Sequence, residues 1–270
     1  MTLVLIDGDI LLYKAAHAVE REITWPDGEV TRQADEHDAA EIFESKLKAI
    51  LTDVGSDNYI VCLSDKENFR RELLPAYKAN RKDLKRPLAL KAVRNHVILK
   101  HNVAIYPRLE ADDVLGILAT QSTERAVIVT LDKDLAQIPV DIYNPDTRKW
   151  SRAAKRDCER LFYMQVLTGD TIDNYSGCAG IGPSKAAKIL SDPRRTLRVE
   201  HVLTSGKRKG EVEIRWGEGE PCSMWEAIVD QFLKAGQTKE DALTQARVAR
   251  ILQSSDYQDN EIILWGKQYE

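Results

Sequence analysis

Nine carboxylates stand where apolar runs end or turns begin: Asp7, Asp65, Glu110, Asp112, Asp113, Asp132, Asp134, Asp170 and Asp173. Crowded together they would repel one another, and hard oxygen donors with no histidine among them are what Mg²⁺ or Mn²⁺ demands, so an ion would relieve the repulsion. Glu110 with Asp113, and Asp170 with Asp173, are three residues apart, a spacing that sets each pair on one face of a helix and lets it hold one ion. Two such ions, roughly 3.5 to 4 Å apart, activate a water on one side of a phosphodiester and stabilise the leaving oxygen on the other, with no protein nucleophile. Each acid also has an ordinary use. Asp9 and Asp112 read as helix N-caps, which keeps Asp9 out of the set, and Asp132 and Asp134 suit a turn. The joint pattern carries the assignment.

A second group of residues suits phosphate. Between Lys66 and Lys100 there are eleven Lys or Arg against three acids, Glu67, Glu72 and Asp83. Within NFRRELLPAYKANRK, Lys78 and Arg81 are three apart and would share a helix face close in sequence to Asp65, where cations stabilise charge on a scissile phosphate. Arg70 and Tyr77 in the same stretch suit a DNA strand, the aromatic by stacking on a displaced base. Downstream, Gly180-Ile181-Gly182-Pro183 opens the helix PSKAAKIL. Gly180, Gly182 and Ser184 bring backbone amides to a helix N-terminus that attracts an anion, and Lys185 and Lys188 add charge. Gly177 to Gly182 has P-loop spacing but is followed by Pro183, and the third glycine of a dinucleotide fingerprint is missing. The formal charge of -4 argues against a nucleic-acid partner only until two dications are added, which bring it to zero and leave one basic face.

The elements that must position these residues alternate. LVLID, YIVCLSD and AVIVTLD read as apolar strands, each ending in a carboxylate, and ILLYKAAHAV, HDAAEIFESKLKAILTDV and ADDVLGILAT read as helices between them. Such alternation predicts an α/β domain with a mostly parallel sheet, whose ligands gather at the carboxyl ends of the strands. From about Asp157 the pattern turns helical, which predicts a division into 1–156 and 157–270. RVEHVLTSGKRKGEVEIRW alternates as a hairpin, SMWEAIVDQFLKAG ends at Gly236, Thr238 with Asp241 starts another helix, and NEIILW reads as a last strand. Cys62, Cys158, Cys178 and Cys222 form no C-x-x-C pair, and no apolar run reaches the ~18 residues of a membrane span, so an intracellular, unanchored protein is expected.

The motifs LIDGD, CLSD, YKANR, LEADD, TLDKDL and GDTIDN followed by GIGPSKAAKIL, in that order over about residues 1 to 190, resemble the 5′ nucleases of the flap-endonuclease superfamily. The resemblance implies a PIN-like catalytic domain, a helical arch over about 66–100 carrying the catalytic Lys78 and Arg81, and a helix-three-turn-helix region gripping double-stranded DNA. It sets Asp7, Asp65, Glu110 and Asp112 about a first Mg²⁺ or Mn²⁺, with Asp113, Asp132, Asp134, Asp170 and Asp173 nearer a second. It also implies a monovalent cation, commonly K⁺, at the turn from Ser176 to Ile181. The compact length and the tail MWEAIVDQFLKAGQTKEDALTQARVARIL look like the stand-alone exonucleases of T7-like bacteriophages. Such enzymes degrade duplex DNA from 5′ ends and remove RNA from RNA:DNA hybrids in the host cytoplasm, some with flap endonuclease activity, in replication, recombination and breakdown of host DNA. One departure is a short arch. Three other readings compete. A haloacid dehalogenase-type phosphatase would use Asp7-Gly8-Asp9 as its nucleophile motif but leaves the glycine turn and the basic stretch unexplained; a PIN-type ribonuclease would not need the second domain; a non-catalytic DNA-binding module would have no need of the full set of acids.

Overall fold

The computed structural model describes residues 2–82 and 84–269; Asp83, counted above among the acids of the basic stretch, lies outside them. The chain forms two compact units, each discontinuous in sequence. The first comprises Met1–Glu72, Arg81–Cys158 and Ile251–Leu264; the second comprises Leu73–Asn80, Glu159–Arg250 and Trp265–Glu270. A single boundary at 156 therefore misses two exchanges: residues 73–80 belong with the second unit, and residues 251–264 return to the first.

In the first unit the apolar runs become β1 (Thr2–Asp7), β4 (Tyr59–Cys62) and β6 (Arg125–Val129), joined through α1 (Gly8–Ala18), a hairpin of β2 (Arg21–Thr24) and β3 (Val30–Gln33), α2 (Glu36–Val54), α3 (Arg70–Leu73), α4 (Leu90–Lys100), β5 (Val103–Ala104) and α5 (Ala111–Gln121). β7 (Asp141–Asn144) and β8 (Lys149–Ser151) complete a six-stranded sheet in the order β5-β4-β1-β6-β7-β8, parallel except for the β7–β8 pair. Strand side chains alternate between faces. Val4, Ile6, Val61, Val127 and Val129 share a core with Leu12 of α1, Phe43 and Leu47 of α2, and Val93 and Val97 of α4. Leu5, Cys62 and Ile128 point the other way, to the face that α5 covers. With both faces covered, the strands can be apolar throughout, which is why they lack the polar alternation of an exposed sheet.

Register fixes where the strands end. Asp7 lies opposite Cys62 and Ile6 opposite Val129, so Gly8 leaves the sheet level with Leu63, and Thr130 leaves it level with Asp7. The residues after three parallel strands thus share one edge, as the alternating pattern predicts.

Residues 66–100 do not form one arch. Their helical parts are α3, a 3₁₀ turn at Ala79–Arg81 and α4. α4 is a core helix packed on α1 and α2 through the buried Ala89, Val93 and Val97, an i, i+4 stripe that the surrounding charges mask in the sequence.

The second unit is built from α6 (Lys155–Thr168, whose first turn lies in the first unit), α7 (Pro183–Ser191), the hairpin of β9 (Arg194–Val202) with β10 (Val212–Pro221), α8 (Met224–Lys234) and α9 (Lys239–Ala249). Phe162, Val166, Leu167, Tyr175, Trp225, Ile228, Phe232 and Leu243 form its core. Ser223 with Glu226 and Thr238 with Asp241 close capping boxes at the starts of α8 and α9. The hairpin expected around SGKRKG is present, whereas the expected last strand reduces to Glu261–Ile262, paired with Tyr257–Gln258 in the first unit. Among the described residues no helix is long and apolar enough to cross a membrane.

Gly8 marks a tight junction where β1 passes into α1. A Cβ there would stand 2.5 Å from Leu63 Cδ2, 2.6 Å from Val61 Cγ1 and 2.8 Å from the Cys62 carbonyl oxygen. Gly8→Ala should lower stability by about 1–3 kcal/mol through the overpacking it forces, read as a lower urea midpoint with an unchanged m-value; an unchanged midpoint would show that β1 and β4 tolerate wider spacing.

Candidate active site

Asp7 closes β1 and caps α1. Its Oδ1 accepts the Ile10 amide at 3.3 Å and its Oδ2 accepts the Thr130 hydroxyl at 2.7 Å. The residue is 4% exposed. Burial pushes its carboxyl up to about 7, and the charges of Asp9 and Asp132 push the same way against the hydrogen bonds from Thr130 and Ile10. The N-cap is therefore Asp7 and not Asp9. Asp9, set aside in the sequence for that reason, sits in the first turn of α1, where its Oδ2 accepts the Ser64 amide at 3.2 Å and its Oδ1 stands 3.4 Å from Arg94. The residue was missed because a strand-to-helix junction carrying two aspartates two apart does not say which one caps.

Asp132 caps the 3₁₀ turn Lys133–Gln137 that holds Asp134, accepting the Asp134 amide at 2.8 Å. Its own amide donates to Thr130 Oγ1 at 3.0 Å, so Thr130 links Asp132 to Asp7. Asp112 is half-buried in the first turn of α5. Burial raises the Cys62 thiol well above its usual range, with help from the charges of Asp7, Asp9 and Asp112, which face it. At the carboxyl edge of the sheet the charges of Asp9 and Asp132 thus act on Asp7, and that of Asp112 acts with Asp7 and Asp9 on Cys62.

Asp65 is committed to its loop. The amide of Arg108 donates to it at 2.8 Å and that of Lys66 at 2.7 Å. The Arg108 hydrogen bond above all, with that from Lys66, holds its carboxyl below the usual range against the opposing effect of burial. Glu110 precedes α5 as its N-cap, half-buried, with one oxygen 3.3 Å from Arg70.

Asp113, expected beside Glu110 on a shared ion, is employed otherwise. It is fully buried. Arg70 grips it through two hydrogen bonds, Nη1 to Oδ2 at 2.6 Å and Nη2 to Oδ1 at 2.8 Å, while the Glu110 amide reaches Oδ2 at 3.3 Å and the Leu252 amide reaches Oδ1 at 3.1 Å. A carboxylate offers about four acceptor positions, and here donors fill them all. Arg70, expected on DNA, is correspondingly buried at 3% exposure. Asp112 and Asp113, neighbours in the chain, point about 100° apart around the helix, one to the carboxylate edge and one to the arginine.

In the second unit, Asp170 and Asp173 frame the turn after α6. Asp170 Oδ1 accepts the Ile172 and Asp173 amides at 2.6 and 3.3 Å. Residues 73–80 are strapped onto that turn: the Lys78 amide donates to the Asp173 carbonyl, Asn174 Nδ2 to the Ala76 carbonyl, and Asn80 Nδ2 to the carbonyls of Thr171 and Ile172. Tyr77, expected to stack on a base, is instead 3% exposed and gives its hydroxyl to Asp173 Oδ2 at 3.0 Å. Lys78 Nζ stands 3.4 Å from the same oxygen, on a backbone of φ 53°. Arg81 is exposed, falls in the first unit and closes a 3₁₀ turn, so it does not share a helix face with Lys78.

The glycine turn that follows is tight. Gly177 has φ 64°, and a Cβ there would stand 2.3 Å from the Gly169 amide nitrogen. Gly182 is the N-cap and Pro183 the first residue of α7; Gly180, Gly182, Ser184, Lys185 and Lys188 are all exposed, as a phosphate-facing element requires. Lys185 Nζ donates to the Gly180 carbonyl at 2.9 Å, and Gln237 donates to that of Gly177 at 3.3 Å.

The model of the 5′-3′ exonuclease N-terminal, resolvase-like domain matches residues 2–161. The exodeoxyribonuclease of Enterobacteria phage T3 is 32% identical over 280 residues, covering 97% of this chain and 92% of its own, and the exonuclease of Escherichia phage T7 is 32% identical over 279 residues, covering 97% and 93%. The chain belongs to the 5′-3′ exonuclease family. Among solved structures, the T5 5′-exonuclease with bound divalent metal ions (zinc) superposes with a TM-score of 0.55 at 19% identity, over 71% of this chain and 75% of that one, which shows the shared fold. This exonuclease is accordingly an enzyme that hydrolyses DNA.

Two aspartates in this exonuclease should respond oppositely to loss of charge. The Asp7 carboxyl, normally near 3.8, is raised to about 7, so between those values the unfolded chain is ionised while the native one keeps its proton, and stability falls as pH rises through that window. Without divalent ions at pH 8, Asp7→Asn should therefore be more stable than the parent by on the order of 2 kcal/mol, the gain vanishing near pH 4. Asp113→Asn should lose on the order of 3 kcal/mol, because the buried Arg70 loses its partner. Urea unfolding across pH measures both; a destabilised Asp7→Asn or an unaffected Asp113→Asn would reverse the assignment.

Proposed function

We propose that this exonuclease hydrolyses phosphodiesters of double-stranded DNA from 5′ ends with two Mg²⁺ or Mn²⁺ ions, whose principal ligands in the first unit are Asp7, Asp9, Asp112 and Asp132. What carries the reading is the geometry at Asp7: a buried carboxylate with two donors, among like charges, at the edge where parallel strands end. The donor set fits the ions, being all oxygen and free of histidine, as a hard cation requires. When bound, such ions activate a water and stabilise the departing oxygen.

The chain's own residues do the rest. Thr130 holds the Asp7 carboxylate in orientation and ties it to Asp132. Ser64 fastens the end of β4 to α1 through Asp9, and to α5 through the Ala111 amide at 2.9 Å, so the carboxylates move as one body. Asp65, Glu110 and Asp134 are proposed at the rim of the same site. The Arg70–Asp113 pair positions α5 and thereby Asp112, and Asp113 is withdrawn from the ligand set.

Asp170, Asp173, Lys78 and Arg81 are proposed as further residues of the reaction on the strength of the family resemblance, supported for three of them by the strap that joins Lys78 to the Asp170–Asp173 turn. Gly180, Gly182, Ser184, Lys185 and Lys188 are proposed to hold a DNA phosphate at the start of α7, where exposed amides and ammonium groups coincide. A K⁺ at this turn would compete with the Lys185 ammonium for the Gly180 carbonyl. RNA in RNA:DNA hybrids is proposed as a second substrate, since contacts made to phosphate carry no base identity.

One assay tests the reading: a 5′-labelled duplex, a flap and an RNA:DNA hybrid, each with Mg²⁺, with Ca²⁺ and with chelator. Short labelled products from all three with Mg²⁺, and none with chelator, are expected; cleavage that survives chelation, or of single-stranded RNA alone, would overturn it. In the same assay Lys78→Ala should slow single-turnover cleavage at saturating enzyme by about 100-fold, whereas a parental rate would remove Lys78 from the chemistry.

A further inference from the structure

Glu44, His96 and His101 converge far along the first unit from the carboxylate edge. Glu44 lies on α2, His96 in the last turns of α4, and His101 immediately after that helix. Glu44 Oε1 is 2.7 Å from His96 Nε2 and 2.9 Å from His101 Nε2, and one ligating atom from each residue lies within 4.8 Å of the others. The remaining ring nitrogen of His101, Nδ1, is 2.9 Å from the hydroxyl of Tyr59. Tyr59 is the first residue of β4, so the trio belongs to the amino ends of the parallel strands, whereas Asp7, Asp9, Asp112 and Asp132 belong to the carboxyl ends.

The simplest use of these groups is a small ion-pair cluster on a half-exposed surface. Three features go further. First, the donors are two imidazole nitrogens from α4 and its C-cap and one carboxylate oxygen from α2, a set that favours Zn²⁺ and its first-row neighbours over the Mg²⁺ of an all-oxygen site. Second, His101 is held from behind: its side chain is 7% exposed, Phe43 lies 5.6 Å from its ring, and Tyr59 occupies Nδ1, so Nε2 is aimed at Glu44 before any ion arrives. Third, ligands of a tetrahedral Zn²⁺ with bonds near 2.0–2.1 Å stand about 3.3 Å apart, so the Glu44 oxygen need draw back from each imidazole nitrogen by only about half an ångström. Glu44 and His96, at 44% and 31% side-chain exposure, have room to do so and leave an outward position for water.

We propose that Glu44, His96 and His101 form a binding site for a Zn²⁺-class transition-metal dication that clamps α2 to α4, separate from the hard cations of the carboxylate edge. On binding, a neutral ring that holds its proton on Nε2 moves it by exchange through solvent to Nδ1, which frees the Nε2 lone pair for the ion, and Tyr59 then rotates its hydroxyl to accept from His101 Nδ1; a ring protonated on both nitrogens releases its Nε2 proton to solvent. Glu44 replaces two hydrogen bonds by one coordinate bond.

Titration of the full chain with Zn²⁺ in excess Mg²⁺, followed by calorimetry and thermal unfolding, tests the site. Uptake of about one equivalent and a higher unfolding midpoint are expected in the parent. His96→Gln and Glu44→Gln should each weaken that uptake more than tenfold and remove the rise in midpoint, while Mg²⁺-dependent DNA cleavage stays at the parental rate. Co²⁺ needs no variant: visible absorption bands of a low-coordinate ion, displaced by Zn²⁺ and untouched by Mg²⁺, are expected in the parent. Failure of the parent to take up Zn²⁺ in excess Mg²⁺, absence of Zn²⁺-displaceable Co²⁺ bands, or parental Zn²⁺ binding by both folded variants would each overturn the proposal. None of these outcomes depends on whether the carboxylate edge is the nuclease centre.

Discussion

A buried carboxylate must have its oxygen lone pairs met, and this protein meets them in two different ways. Asp113 has four donors for about four acceptor positions and a guanidinium to balance its charge. Asp7, also removed from water, has two donors and, among the described residues, no ion pair; the charges that act on it are those of Asp9 and Asp132. Left alone, such a group keeps its proton, which is why it is raised to about 7. The first aspartate is finished as structure and the second is incomplete, and a hard dication is the partner we propose for it.

The rest of the first unit serves that incompleteness. Parallel pairing ends β1, β4 and β6 in one row, and the close approach at Gly8 lets α1 begin against β4. The Ile10 amide in the first turn of α1 and the Thr130 hydroxyl hold Asp7 without neutralising it. Arg70 and Asp113 lock the start of α5 from beneath, and the Leu252 amide ties the returning segment 251–264 to the same aspartate. In the second unit, residues 73–80 and the Asp170–Asp173 turn interlock through backbone carbonyls and amides, so that Lys78 is held by its main chain as well as by its charge.

Much of this was legible in the sequence because it is local. An apolar run leading to an aspartate, followed by a helical period, gives a parallel strand, and the structure forms β1, β4 and β6 in that way, with Asp7 closing β1 but β4 and β6 ending three residues before Asp65 and Asp132. The caps of α8 and α9 and the β9–β10 hairpin follow from turn and capping chemistry within a few residues. What the sequence hides depends on partners far along the chain. Nothing near Asp113 announces Arg70, forty-three residues earlier, so the basic stretch reads as a DNA-facing surface when one of its arginines is a core ion pair. Tyr77 likewise reads as a stacking aromatic until Asp173 is found beside it. The α4 stripe is masked by lysines and arginines that point outward, and Glu44 meets His96 and His101 only because α2 and α4 pack.

The contrast between the two aspartates can be seen directly. Crystals equilibrated with Mn²⁺ and measured at its absorption edge should show an anomalous peak within ~2.2 Å of an Asp7 oxygen, shared with a carboxylate of Asp9, Asp112 or Asp132, and no peak at Asp113. Mn²⁺ bonded to Asp113, with Arg70 displaced, or no ion at Asp7 would contradict the account.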